Sequence, residues 1–249
     1  MAFEPVQLAI IFACLAGGGI LKGATGAGAP VLAVPALAMM FDVKFAVVVM
    51  IMPNLLTNIW QGWLFRRHRL PASFVWGFAA AGAAGVLAGT LMLAFFSQRL
   101  LSLMVAAAVF GYVLLRLTRP DWKIAYPLAS RLRLPAGITA GVLQGASGIS
   151  APVSITFLNA MRLERPVFIS TVSIFFAVMS ALQIPALGYF GILSGHGALI
   201  SLAAIFPILA FMPVGSVLAR RLSKENFDRV ILILLSLLAL KLVYDALAG

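Results

Sequence analysis

The stretch KGATGAGAPV at residues 22–31 returns 122 positions later as QGASGISAPV at residues 144–153. Both stretches place glycine, a hydroxyl residue and proline in the same order. Further matches, at this offset and at an offset of 126 after a short insertion, are Met39 with Met161, Gln61 with Gln183, and Gly89 with Gly215. A register that persists over about 75 residues is not expected by chance, so the sequence predicts an internal duplication.

The amino-acid composition of the chain predicts that it is a membrane protein. Of the 249 residues, 63% are hydrophobic and 10% are charged, and the mean hydropathy is +1.08. A water-exposed globular domain is closer to half apolar and about a quarter charged, so that class is excluded. The apolar runs are long and lack strand alternation, which predicts an all-α polytopic integral membrane protein. The predicted apolar segments are 5–21, 29–40, 45–64, 72–96, 100–118, 136–146, 151–161, 167–187, 197–219 and 230–247.

The basic residues predict how the two halves are oriented. The net charge is +11, and most lysines and arginines lie in short loops, where they act as topology signals more than as attraction for an anion. The loop at 66–71 is basic, whereas its repeat partner at 188–197 has no lysine or arginine. The loop at 97–99 is nearly neutral, whereas its partner at 220–229 carries four basic residues. Equivalent loops therefore lie on opposite sides of the membrane, which predicts two inverted-topology repeats.

The positive-inside rule also predicts the location of the loops and termini. It places 66–71, 116–134 and 220–229 in the cytoplasm, so both termini are expected outside it, in a multi-pass protein of the cell (inner) membrane. Each repeat is predicted to be a Gly-rich re-entrant or broken-helix hairpin followed by three transmembrane helices. The predicted division is 1–118 as the first membrane repeat, 119–134 as a cytoplasmic linker and 135–249 as the second membrane repeat.

The hairpins are predicted from the lengths of their arms. The two apolar pieces within 136–161 have about eleven residues each, or roughly 16 Å, and neither crosses a hydrocarbon core of roughly 30 Å. The matching stretch 5–41 is expected to enter from the other face. Its first arm, 5–21, is longer, and the sequence leaves open whether this arm is re-entrant or crosses completely.

The two turns are the predicted anion site. Their glycines permit unusual backbone geometry, and Pro30 and Pro152 suit the first turn of the helix that follows. Ser150 is placed to cap its helix, and Thr25 and Ser147 add hydroxyl groups. Two helix N-termini near mid-membrane would bind an anion without a metal. The alternative is that these small residues only permit tight helix packing.

Lys22 adjoins the first turn, and its repeat partner is Gln144. A lysine within the membrane would face a cavity and complement an anion. Alternatively, segment 5–21 crosses fully and Lys22 is an ordinary cytoplasmic flank. The predicted substrate-binding residues are Lys22, Gly23, Thr25, Gly26, Gly28, Gln144, Gly145, Ser147, Gly148 and Ser150.

Two polar stripes accompany the turns. The first stripe is spaced for one helical face, and the second is its sparser counterpart. Such a stripe lines a pathway or forms hydrogen bonds with neighbouring helices, and its recurrence beside both turns favours the pathway. The stripe residues are Asn54, Thr57, Asn58 and Gln61 in the first half, and Ser173, Ser180 and Gln183 in the second.

No pattern for a metal or cofactor is present in the sequence. Cys14 is the only cysteine, and both histidines fall in predicted loops. No acidic residue lies deep in a predicted span, which argues against a carboxylate proton relay, a cation pump and a membrane hydrolase. There is no Walker sequence for ATP-driven transport.

The expected partners are a small anionic substrate and the lipid bilayer, with no nucleic acid; a homo-oligomer is left open.

The two motifs resemble those of a known family, the TauE/SafE-type sulfite exporters. In that family each half opens with a Gly-rich stretch leading to a proline, as GATGAGAPVLAVPAL at 23–37 and GASGISAPVSITFL at 145–158 do here. The likeness covers essentially the whole chain. It implies a transporter, not an enzyme, for sulfite, sulfonates, thiosulfate or related anions. We expect alternating access around the two turns, with an anion channel or a non-transporting scaffold or enzyme as alternatives.

Overall fold

The computed structural model describes residues 4–119, 122–221 and 224–248, and these residues form helices and no strand. Residues 120 and 121 of the predicted linker, and 222 and 223 of the loop at 220–229, lie outside them. The helices are α1 (Pro5–Thr25), α2 (Ala29–Met40), α3 (Val43–Leu64), α4 (Ala72–Phe95), α5 (Gln98–Thr118), α6 (Tyr126–Ser147), α7 (Ser154–Ala160), α8 (Arg165–Tyr189), α9 (Gly195–Ala203), α10 (Ile205–Arg221) and α11 (Lys224–Ala248). The all-helical prediction is confirmed.

Seven stretches within the described residues are long and apolar enough to cross a bilayer. They are α1, α3, α4, α5, α8, the combined stretch Gly195–Arg221, and Arg229–Leu247 within α11. Helix α2 has 12 residues and a length of roughly 18 Å, too short for a hydrocarbon core of roughly 30 Å. The chain is therefore a multi-pass membrane protein.

Two of the predicted apolar segments, 136–146 and 197–219, differ most from the helices. Helix α6 begins at Tyr126, inside the range 119–134, because a proline in its first turn starts the helix before the apolar segment does. The segment 197–219 is not one helix but two, α9 and α10, which meet at Ala204. Pro207 lies just beyond this break, and it has no N–H for the carbonyl of Ala203 four residues earlier.

Glycines hold two helix pairs in close contact. A Cβ at Gly145 of α6 would lie 2.3 Å from the carbonyl oxygen of Val86 in α4. A Cβ at Gly23 of α1 would lie 1.9 Å from the carbonyl oxygen of Met212 in α10. The two crossings are equivalent in the repeat. The offset of 122 relates Gly23 to Gly145, and the offset of 126 relates Val86 to Met212. Gly23 and Gly145 lie within helices, where they serve helix packing.

Candidate functional site

The two Gly-rich turns end α1 and α6 in the same way. Gly26 follows α1 with φ of 81°, and Gly148 follows α6 with φ of 72°. Gly28 has φ of 144°. These backbone angles are unfavourable for residues with a Cβ, so glycine is required at each position. A Cβ at Gly26 would contact Ile169, as one at Gly148 would contact Val47.

The hydroxyl groups of Thr25 and Ser147 stabilise these turns. The Thr25 hydroxyl donates to the carbonyl of Leu21 at 2.8 Å, and the Ser147 hydroxyl donates to the carbonyl of Leu143 at 2.7 Å. Each hydroxyl oxygen also accepts from the N–H two residues later, at 3.3 and 3.4 Å respectively. Both hydroxyl groups therefore form their hydrogen bonds within their own turns, and these bonds stabilise the backbone conformation of each turn.

The chain continues differently after the two turns. Pro30 lies in the first turn of α2, as predicted. Pro152 lies in a turn before α7, which begins at Ser154, and in this turn the carbonyl of Ser150 accepts from the N–H groups of Val153 and Ser154, at 3.0 and 2.8 Å. The predicted cap is also wrong: Val153 occupies the N-cap position, and the Ser150 hydroxyl lies 3.1 Å from that of Ser154.

Lys22 lies inside the protein and begins a chain of hydrogen bonds. Its side chain is only 2% exposed, so it is not a cytoplasmic flank, and α1 continues past it to Thr25. Nζ of Lys22 donates to Oδ1 of Asn58 at 2.9 Å. Nδ2 of Asn58 donates to Oδ1 of Asn54 at 2.8 Å, and Nδ2 of Asn54 donates to Oγ of Ser180 at 3.1 Å. The chain joins α1, α3 and α8.

The remaining stripe residues are buried but differ in their bonding. Thr57 donates to the carbonyl of Pro53 in its own helix at 2.6 Å, which occupies its proton. Oε1 of Gln61 and Oγ of Ser173 are buried and have no hydrogen-bond partner among the described residues. The stripes therefore supply both the bonded chain that starts at Lys22 and polar atoms available for a further partner.

A small cavity brings residues of both halves together. Its volume is about 10 Å³, room for roughly one water molecule. Four of the predicted site residues line it, whereas Lys22 reaches it only through Asn58 and Asn54. The lining residues are Pro30, Val47, Met50, Ile51 and Asn54 from the first half, and Gln144, Gly148 and Gln183 from the second.

The two glutamines of the cavity present unpaired groups. Nε2 of Gln183 donates to the carbonyl of Gly145 at 3.3 Å. Oε1 of Gln183 and Oε1 of Gln144 are buried, and no group in the described part of the chain forms a hydrogen bond with either. A carboxamide offers both an acceptor and N–H donors, so these side chains can accept from a ligand or, after turning, donate to it.

Several buried hydroxyl residues were not predicted from the sequence, among them Ser170, Thr171 and Ser201. Ser170 and Thr171 of α8 have no hydrogen-bond partner, and they sit in a short polar run that could have drawn attention. Ser201 of α9 reaches α3, where its hydroxyl donates to the carbonyl of Val49 at 3.1 Å. Pro53 lies four residues after Val49 and has no N–H for that carbonyl, so Ser201 replaces the missing bond.

The electrostatic character of the site follows from its buried residues. Within the described residues, Lys22 is the charged member of the buried polar set, and every other member is an asparagine, glutamine, serine or threonine. The described residues contain no group of three or more His, Cys, Asp or Glu side chains placed to hold a metal ion. The arrangement can bind an anion with one cation and neutral hydrogen-bonding groups.

A family model described as "Sulfite exporter TauE/SafE" matches residues 10–242. The chain belongs to the TauE/SafE family. Comparison with curated proteins finds no match, and comparison with solved structures finds none either. As a member of TauE/SafE with seven apolar helices in its described residues, the chain is a multi-pass membrane transporter.

Proposed function

We propose that this TauE/SafE protein transports a small sulfur-containing oxyanion, such as sulfite, a sulfonate or thiosulfate. The observation that carries the proposal is the cavity between the halves, which joins Asn54 of α3 to Gln144 and Gln183. Asn54 in turn connects this cavity to the buried cation of Lys22. A buried lysine repels a cation, and together with neutral hydrogen-bonding groups it suits an anionic substrate.

The substrate-binding groups follow from this placement. In the proposal, the carboxamides of Gln144, Gln183 and Asn54 orient the anion, and Lys22 supplies the charge. Pro30 lines the cavity at the start of α2, whose first N–H groups carry the positive end of the helix dipole. The turn glycines allow backbone and side chains to come close to the anion.

Alternating access accounts for how the anion enters and leaves. A cavity of about 10 Å³ holds roughly one water molecule, so a four- or five-atom oxyanion requires the helices around the cavity to move apart. The equivalent glycine contacts of α1 with α10 and of α4 with α6 each join a helix of one half to a helix of the other, which supports two related units, each built from both halves, that rock against one another. The unequal number of basic residues in equivalent loops supports an inverted arrangement with both termini outside the cytoplasm.

Uptake and counterflow in proteoliposomes test the proposal. We expect saturable uptake of at least one among sulfite, methanesulfonate, sulfoacetate and thiosulfate, accelerated by the same anion on the opposite side. Non-sulfur carboxylates serve as the comparison, with and without a pH gradient. Flux that does not saturate and shows no counterflow would identify a channel. No flux of any sulfur anion would reject the transport proposal in favour of a scaffold or enzyme.

A further inference from the structure

We infer that the transported species carries a single negative charge, as hydrogensulfite and the alkylsulfonates do, and that Lys22 sets this limit. The inference rests on the proposed function and narrows its substrate class. It excludes sulfate, dianionic sulfite and thiosulfate as preferred substrates. The limit arises from the number of buried charges in the described structure, so it applies wherever along the polar stripe the anion binds.

The buried polar residues of the two halves are unequal in charge. Lys22 is 2% exposed, and the residue at its repeat position in the second half, Gln144, is neutral and 4% exposed. The other buried polar residues among those described are neutral as well. Among the described residues, the buried polar set therefore contains one basic side chain, on α1, and the equivalent position on α6 contributes a carboxamide.

Lys22 has hydrogen-bonding capacity left for an anion. Its ammonium group has three N–H donors, and one of them bonds to Oδ1 of Asn58. No carboxylate of the described residues pairs with it. A monoanion at this position would complete its bonding and neutralise the buried charge. A dianion would bring a second charge with no partner inside the protein, which is strongly unfavourable.

The neutral polar groups can bind either a protonated monoanion, such as hydrogensulfite, or an unprotonated one, such as an alkylsulfonate. Oε1 of Gln61, of Gln144 and of Gln183 are buried acceptors that have no hydrogen-bond partner within the described structure. They can accept a hydrogen bond from a protonated oxyanion, which hydrogensulfite supplies and a fully deprotonated dianion does not. For an alkylsulfonate, the same carboxamides can turn and donate N–H groups to its oxygens.

Methanesulfonate and sulfate provide a matched pair for the test, because both are tetrahedral and similar in size but differ by one charge. We expect counterflow of methanesulfonate in proteoliposomes to exceed that of sulfate at least tenfold at a single pH. Equal or faster transport of sulfate, or preferred transport of thiosulfate, overturns the charge limit and leaves the transport function standing. Absence of transport of every sulfur anion overturns both.

Two substitutions test whether Lys22 sets the limit. Lys22→Gln makes the two halves alike and is expected to lower methanesulfonate uptake at least tenfold. Gln144→Lys adds a second cation and is expected to raise the ratio of sulfate to methanesulfonate uptake at least tenfold. An unchanged ratio in a folded Gln144→Lys protein contradicts the role of charge. Lys44→Gln is the control, because Lys44 bonds to the carbonyl of Ala94 away from the cavity.

Discussion

The Nζ atom of Lys22 donates a hydrogen bond to Oδ1 of Asn58 at 2.9 Å, and this bond fixes a cation of α1 against α3. The carboxamide of Asn58 is held in this orientation, because its Nδ2 atom donates to the backbone carbonyl and to Oδ1 of Asn54, at 2.6 and 2.8 Å. The acceptor end therefore faces Lys22. Asn58 positions the cation without neutralising it, which leaves its charge available to a substrate.

Asn58→Asp should impair transport by neutralising Lys22. The substitution keeps the size of the side chain and replaces a neutral acceptor with a carboxylate, which pairs with the ammonium group. We expect initial rates of anion uptake to fall at least tenfold at low substrate concentration, with most of the effect in KM. Thr57→Ser is the control, because the Thr57 hydroxyl is occupied by its own helix. Normal uptake by the Asp variant would show that Lys22 does not bind the substrate.

Gly26→Leu and Gly148→Leu should each abolish transport while leaving membrane insertion intact. The two glycines have φ of 81° and 72°, a conformation that costs a residue with a Cβ roughly 1–2 kcal/mol. A Cβ at Gly26 would also lie 2.6 Å from the Ile169 side chain. Gly188→Leu is the control, because a Cβ at Gly188 meets nothing within 4 Å.

The measurement for these glycine variants is counterflow of the wild-type substrate, normalised to the amount of protein in the vesicles. Membrane fractionation and size-exclusion chromatography establish that each variant inserts and remains monodisperse. Counterflow at the wild-type rate in both turn variants would show that transport does not depend on the conformation of the turns. Loss of counterflow in Gly188→Leu would show that the effect is not specific to the turns.

Much of the fold follows from local sequence, because apolar length and turn glycines act locally. The segment 72–96 became α4, and positive φ at Gly26 and Gly148 agrees with the turn prediction. The stripe of α3 was identified because helical spacing places Asn54 and Asn58 on one face. These features need no knowledge of which helices are neighbours.

The parts that the sequence did not reveal depend on distant partners or on small differences between the repeats. Ser201 bonds to Val49, and no local pattern indicates that a serine so far along the chain completes α3. Pro152 matches Pro30 in sequence, but α2 begins one residue before Pro30, whereas α7 begins two residues after Pro152. The cavity likewise depends on how the halves pack, which neither motif specifies alone.

Gly145→Ala should destabilise the protein through the contact between α4 and α6. The added Cβ would lie 2.3 Å from the carbonyl oxygen of Val86, and backbone atoms cannot move aside as a flexible side chain can. Overpacking of this kind costs about 1–3 kcal/mol. We expect a lower Tm in detergent, followed by tryptophan fluorescence.

Gly111→Ala is the matched control for this contact. Gly111 is also helical, and a Cβ there would lie 3.9 Å from Pro152, an ordinary van der Waals distance. Because alanine favours the helix over glycine by about 0.5–1 kcal/mol, this variant should match or exceed the wild-type Tm. Equal Tm values for Gly145→Ala and Gly111→Ala would contradict the assignment of Gly145 to helix packing.

Ser201→Ala should destabilise α3, and Pro53→Ala should reduce that effect. The Ser201 hydroxyl donates to the carbonyl of Val49 at 3.1 Å and accepts from the N–H of Met52 at 3.0 Å. Its removal leaves a buried carbonyl unpaired, at a cost of about 1–3 kcal/mol. In the Pro53→Ala background, the new N–H of residue 53 can donate to the Val49 carbonyl and replace the lost bond.

A double-mutant cycle on Tm, with hydrogen exchange of α3 as the local readout, measures this coupling. Ser201→Ala should accelerate exchange in the wild-type background and have a smaller effect when Pro53 is also replaced. Ser236→Ala is the control, because the Ser236 hydroxyl bonds to the Leu232 carbonyl of its own helix. If the effects of the two mutations are additive, the Ser201 hydroxyl does not replace the hydrogen bond that Pro53 cannot donate. Coupling between them would establish that a side chain of α9 completes the proline-interrupted helix that carries Asn54 and Asn58.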